Sequence, residues 1–142
     1  MAIETAGSFS SATVNGYTVK TTGTTSALSS ASNSLVSQSI VPSTDGIENK
    51  KIIMGMETKG GFNDTAAVLV LQGSHNGTDW VDISTLFADT TPNVVEVKPA
   101  FVDLSNVYAA YFRLHFNDSS TSGLTTTSVG TSGTLQFFFA YK

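Results

Sequence analysis

The stretch Ala66 to Ser84, reading AAVLVLQGSHNGTDWVDIS, limits what this chain can fold into more than any other. An apolar run from Ala66 to Leu71 enters a polar turn at Asn76-Gly77, and the chain leaves through Trp80, Val81 and Ile83. Asn-Gly between two apolar runs predicts a β-hairpin, because both residues accept positive φ at little cost. Ala66–Gly73 is apolar on both faces, which predicts a central strand covered on both sides or paired against a second layer.

Period-2 alternation recurs on either side of this hairpin. In Lys50–Lys59, Ile52, Met54 and Met56 share one face. In Tyr108–Asn117, Ala110, Phe112, Leu114 and Phe116 form a core face against Tyr111, Arg113, His115 and Asn117. Thr134–Tyr141 places Leu135, Phe137, Phe139 and Tyr141 on one side. Trp80–Phe87 and Val94–Lys98 supply shorter strands, and Pro99 stops regular pairing or puts that end on an edge. Phe101–Val107 reads as a connection with a short helical turn, and Ser119–Gly133 as a long Ser/Thr/Gly loop of the kind that is often interfacial. About eight strands and no amphipathic helix predict an all-β chain, an antiparallel β-sandwich of jelly-roll-like build.

The chain has 142 residues, a length that buries one core. Its first 44 residues differ in character from 45–142. Ser, Thr, Ala and Gly dominate, Glu4 and Lys20 are the only charges before Asp45, and apolar residues come singly at Ile3, Phe9, Val14, Tyr17 and Val19. Two readings stand side by side: an extended arm that adds a strand to a neighbour, and ordinary strands at Gly16–Thr22 and Ser34–Pro42 joined by a loop. We combine them as a mobile first dozen residues, a weak strand at Tyr17–Lys20 and a firm one at Leu35–Val41. Residues 1–44 are then arm and first strands, residues 45–142 the sandwich. On this reading a cut before about Ser34 leaves the sandwich folded.

Composition narrows function by subtraction. Net charge is −4, and the 7 basic residues are scattered rather than clustered, which argues against nucleic-acid binding. No apolar run is long enough to cross a membrane. There is no cysteine for a disulfide or thiolate site, and the N-terminus lacks the basic and apolar regions of a secretory signal. The Asn63, Asn76 and Asn117 sequons read as accidents of an Asn- and Thr-rich chain. His75 falls in the hairpin turn and His115 on an outward strand position, with no close-spaced partner for a metal. Asp64, Asp79 and Asp82 read as solvated carboxylates. No GxSxG or phosphate loop is present. We expect no catalysis and no cofactor.

The remaining candidates are surface residues. Phe138 falls opposite Phe137 and Phe139, and Tyr111 opposite Phe112. An aromatic on the outer face means a second packing layer or a partner surface. Phe9, Val14, Tyr17, Val19, Tyr111, Arg113, His115 and Phe138 are the candidate partner-binding set. His75, Asp79 and Trp80 are the alternative glycan-binding set, although a lone Trp after a hairpin also serves as a core or rim anchor.

LQGSHNGTDWVDI followed by YAAYFRLHF resembles a pattern of discoidin-like (galactose-binding-like) sandwiches, which many small tailed-phage structural proteins also carry. Ser74, Asn76, Gly77, Thr78 and Trp80 carry the hairpin part, and Tyr111, Phe112, Arg113 and Leu114 the later strand. The likeness covers Leu69 to Phe116 and transfers fold better than activity. Together with the acidic, cysteine-free chain and its low-charge arm, it resembles a tailed-phage capsid decoration (cement) or minor virion protein. The resemblance implies a non-enzymatic structural protein that is assembled in the host cytoplasm and located on the virion. Its partner would be the major capsid protein, and it would act as a homo-oligomer, a trimer in particular. The alternative is a carbohydrate-binding adhesion module on a virion or cell surface.

Overall fold

A computed structural model describes residues 2–22, 32–48, 50–59, 67–89, 97–118 and 134–142. Their ten strands and one helical turn form two five-stranded sheets packed face to face, a jelly-roll-like β-sandwich. The strands are β1 (Ala2–Thr5), β2 (Phe9–Val14), β3 (Tyr17–Thr22), β4 (Ser32–Val36), β5 (Lys51–Lys59), β6 (Ala67–Ser74), β7 (Trp80–Asp89), β8 (Val97–Asp103), β9 (Tyr111–Asp118) and β10 (Thr134–Tyr141), with α1 at Pro42–Asp45. The first sheet runs β1-β4-β9-β6-β7 and the second β2-β3-β10-β5-β8. Every pairing is antiparallel except β1 with β4.

The core is the meeting of the predicted apolar faces. Leu35, Leu69, Leu71, Phe112, Leu114 and Phe116 of the first sheet and Ile52, Met54, Met56, Phe137 and Phe139 of the second are all buried in one cluster. As anticipated, β6 is central, between β9 and β7, and even its outward Val70 is buried. Ile40 and Ile47 close one end around α1. The Ile40 N–H donates to the Phe112 carbonyl at 2.7 Å, and the Phe112 N–H donates back at 2.8 Å. Gly46, which caps α1 at φ +78°, is held to glycine twice over: a Cβ there would also lie 2.9 Å from the Tyr141 hydroxyl.

Several expectations change. The strand expected at Tyr17–Lys20 is present as β3, but the dozen residues before it, read as a mobile arm, add two further strands, β1 and β2, to the sandwich of their own chain. β1 pairs with β4, and β3 is hydrogen-bonded between β2 and β10. Phe9, offered as a partner-binding residue, packs against the core with its ring edge-on to Phe139 at 5.0 Å. The strand foreseen at Leu35–Val41 ends at Val36, and only an isolated bridge at Ile40 resumes it. The connection foreseen from Phe101 is strand as far as Asp103, and Pro99 is tolerated because β8 is an edge. β9 starts at Tyr111, so Ala110 is exposed rather than core-facing.

The turns also exchange roles. The two-residue turn with positive φ at both positions is Asn15-Gly16 (φ 51° and 82°), between β2 and β3. At Asn76-Gly77 only the glycine has positive φ (81°), and five residues separate β6 from β7.

Candidate functional site

The hairpin loop is held by short polar side chains rather than by turn dihedrals alone. Ser74 Oγ accepts the backbone N–H of Asn76 (3.2 Å) and of Gly77 (2.8 Å). Asn76 Oδ1 accepts those of Thr78 and Asp79, each at 2.9 Å, while its Nδ2 donates to Asp79 Oδ2 at 2.7 Å. This arrangement gives Asp79 a structural occupation and leaves His75 exposed at the tip. The loop then leans over β9: a Cβ on Gly77 would come within 3.5 Å of the Tyr111 ring.

Beneath that tip, the outer face of the first sheet carries a polar line across three strands. Gln72 on β6 pairs in register with Arg113 on β9 and Asp82 on β7. The Arg113 Nε–H donates to Gln72 Oε1 at 2.8 Å, and Gln72 Nε2 donates to Asp82 Oδ1 at 2.9 Å. The guanidinium also stacks on Trp80, with Cζ 4.3 Å from the ring centroid. Trp80 is half-buried and forms the rim of this assembly rather than part of the core. An open groove of ≈ 420 Å³ adjoins it, lined among others by Thr5, Gln38, Ser39, Gly77, Trp80 and Arg113.

His115 lies one step further along β9, opposite Val36 and Val70. Its Nε2 is buried without a hydrogen-bond partner among the described residues. Burial pushes its pKa below the ordinary histidine value, Arg113 pushes the same way, and Asp82 opposes them. The folded state therefore prefers the neutral ring, and the unfolded chain binds more protons. Stability contributed by His115 is complete above about pH 6.5, the unfolded value, and is lost as pH falls through the depressed folded value. Thermal midpoints measured between about pH 5 and 8 should drop on the acid side, and His115→Gln should flatten that drop. An unchanged pH profile in the variant would exclude His115 as its source.

The outer face of the second sheet is different in kind. Successive register pairs align Ala12, Val19, Ala140, Ile53 and Phe101 into one apolar row across all five strands. The adjacent row places Phe138 between Thr21 and Gly55, with Pro99 beyond. Val14, Tyr17 and Phe101 are 52%, 48% and 90% exposed. An open groove of ≈ 560 Å³ runs between Tyr17 and Phe101 over Ile53 and Ala140, with Lys50, Lys51, Lys142 and Asp103 around it. Lys142 Nζ sits 5.5 Å from the Tyr17 ring centroid.

The candidate partner-binding residues thus separate. Val14, Tyr17, Val19 and Phe138 gather on the second sheet's outer face, whereas Tyr111, Arg113 and His115 lie on the opposite side of the sandwich. Phe101, Ile53 and Gln72 were not foreseen. From the sequence Phe101 reads as part of a connection, and Gln72 gains meaning only when β7 and β9 flank it. Among the described residues, no three His, Cys, Asp or Glu side chains converge as a metal site would need. Asn63, Asp64 and the 119–133 loop lie outside the described residues.

No protein-family model matches this chain, and no curated protein does. Among solved structures it is similar to one described as "CBM4 structure and function", at 12% identity and a TM-score of 0.37, over 91% of this chain and 70% of that one. So loose a superposition supports no statement about ligand or partner.

Proposed function

We propose that this chain is a non-catalytic structural protein of a virion that binds the capsid surface as a decoration or cement protein. The observation that carries this reading is the apolar row from Ala12 to Phe101 on the second sheet's outer face. With strands about 4.8 Å apart, such a row is roughly 19 Å wide. A contiguous apolar face of this width, ending in a nearly naked phenylalanine, is uncommon on a monomer and typical of an interface. Burying one phenylalanine side chain contributes about 1.5–3 kcal/mol. A capsid repeats its binding site, so a modest face gains from multivalency, and gains further if the chain is a homo-oligomer. The partner on this reading is the major capsid protein.

The test is recovery of the chain with gradient-purified particles from the host that expresses it, at the stoichiometry of a lattice component. Recovery only in the free fraction would overturn the proposal. Phe101→Asp, a change at an exposed position, should leave the thermal midpoint within a few degrees. It should also reduce both particle binding and self-association in sedimentation velocity at least tenfold. Undiminished binding would remove this face from the interface.

A second reading, a carbohydrate-binding module, is favoured by a separate observation. Trp80 stands at the rim with its polar neighbours, and the loop tip beside it is exposed. An aromatic body edged by fixed hydrogen-bonding groups is the usual composition of a small-ligand site.

A further inference from the structure

Arg113 is the single arginine of the chain, and its surroundings fix its position without neutralising it. The Trp80 ring supports one face of the guanidinium, and Gln72 holds its Nε. Gln72 is only 8% exposed and is itself anchored to Asp82, so the amide cannot swing away without breaking a second bond. Among the described residues no carboxylate forms an ion pair with Arg113; the pair observed is Lys20 with Asp45. Burial lowers the Arg113 pKa, the mark of a cation partly withdrawn from water. A partly desolvated cation with no counter-ion among the described residues is a net cost to the fold, and costs of this kind cluster at functional sites.

The rest of the groove points to the kind of anion. With Nε occupied, the two Nη groups, which have no partner among the described residues, are the donor pair that matches a carboxylate. Beside them, Gln38, Ser39 and Thr5 are exposed and present amide and hydroxyl groups. Ser37 is not available, because its Oγ donates to the Gln38 carbonyl at 3.0 Å and accepts the Leu114 N–H at 2.9 Å. At ≈ 420 Å³ the groove falls within the range of small-ligand sites. We infer that this groove binds a carboxylate-bearing sugar, of the uronic or sialic acid class. The carboxylate sits on Arg113, and the ring hydroxyls sit on Gln38, Ser39 and Thr5. This inference rests on the carbohydrate reading and adds the charge and the place of the ligand.

Isothermal titration of the full chain separates the possibilities. The probes are trigalacturonate and 3′-sialyllactose, each against its neutral counterpart, methyl-esterified trigalacturonate and lactose. At least one acidic probe should bind saturably and at least tenfold tighter than its neutral counterpart. Arg113→Gln should weaken that binding tenfold or more, and Arg113→Lys should fall between, since an ammonium keeps the charge but not the two-pronged donor. Circular dichroism checks that the variants fold. If one does not, the acid-against-neutral comparison on the unaltered chain still decides. Equal binding of acidic and neutral sugars would overturn the inference while leaving the carbohydrate reading in place. Sodium acetate binding as tightly as the sugars would reduce the site to a simple anion site and overturn it too. No response to any of the four sugars would overturn both readings.

Discussion

Replacing Phe139 with alanine should destabilise the protein by about 3–5 kcal/mol, read as a lower urea midpoint at an unchanged slope. Phe139 is fully buried on β10, which lies between β3 and β5 in the second sheet. Its ring meets Phe9 edge-on and stacks on Tyr141 at 6.2 Å, so the removed volume borders aromatic rings from two strands. A domain of this size holds about 5–15 kcal/mol in total, so the variant should be partly unfolded at modest denaturant. Phe101→Ala is the matched control, because Phe101 is 90% exposed and its loss should change stability by less than about 0.5 kcal/mol. A cost below about 1 kcal/mol at Phe139 would mean that the core can close around the cavity.

The contrast between these two phenylalanines also shows where the sequence could be read. β5, β9 and β10 were legible because an apolar residue at every second position has one explanation, a strand with one covered face. Phe101 misled because β8 is an edge strand that alternates Phe101 outward with a half-buried Val102 and carries a proline, Pro99, within it. β3 shows as the strand expected at Tyr17–Lys20, but the two strands before it were hard to read for another reason. β2 is FSSATV, with five of its six residues exposed, so its place is set by backbone ladders with β3 rather than by a hydrophobic pattern. Its one strong signal, Asn15-Gly16 between Val14 and Tyr17, was the same dipeptide that drew attention at Asn76-Gly77. The candidate site was legible only in parts. Trp80 and Arg113 each stood out, but for different roles. Their contact depends on Gln72 pairing with β7 on one side and β9 on the other, a relation between distant stretches that no local pattern encodes.

Removing residues 1–22 should abolish cooperative folding, an outcome opposite to that of a dispensable arm. The deletion takes away β1 and the β2–β3 hairpin together. Phe137 and Phe139 would lose the strand beside them, and Phe139 would lose Phe9 as its cover, worth about 1.5–3 kcal/mol by burial alone. A buried hydrogen bond goes with it: the Phe137 N–H donates to Thr22 Oγ1 at 2.9 Å, and without Thr22 that group has no partner inside the sheet. The freed ladder groups of β10 add to the loss, and the sum reaches the lower end of a domain's whole stability. Thr22→Val isolates one contribution, since valine keeps the shape but cannot accept. It should cost about 1–3 kcal/mol and speed hydrogen exchange at the Phe137 amide, with the remaining strands still protected. A deletion variant that kept a sigmoidal urea transition with a native-like slope would show that β4 to β10 fold without the first hairpin, and the arm reading would return.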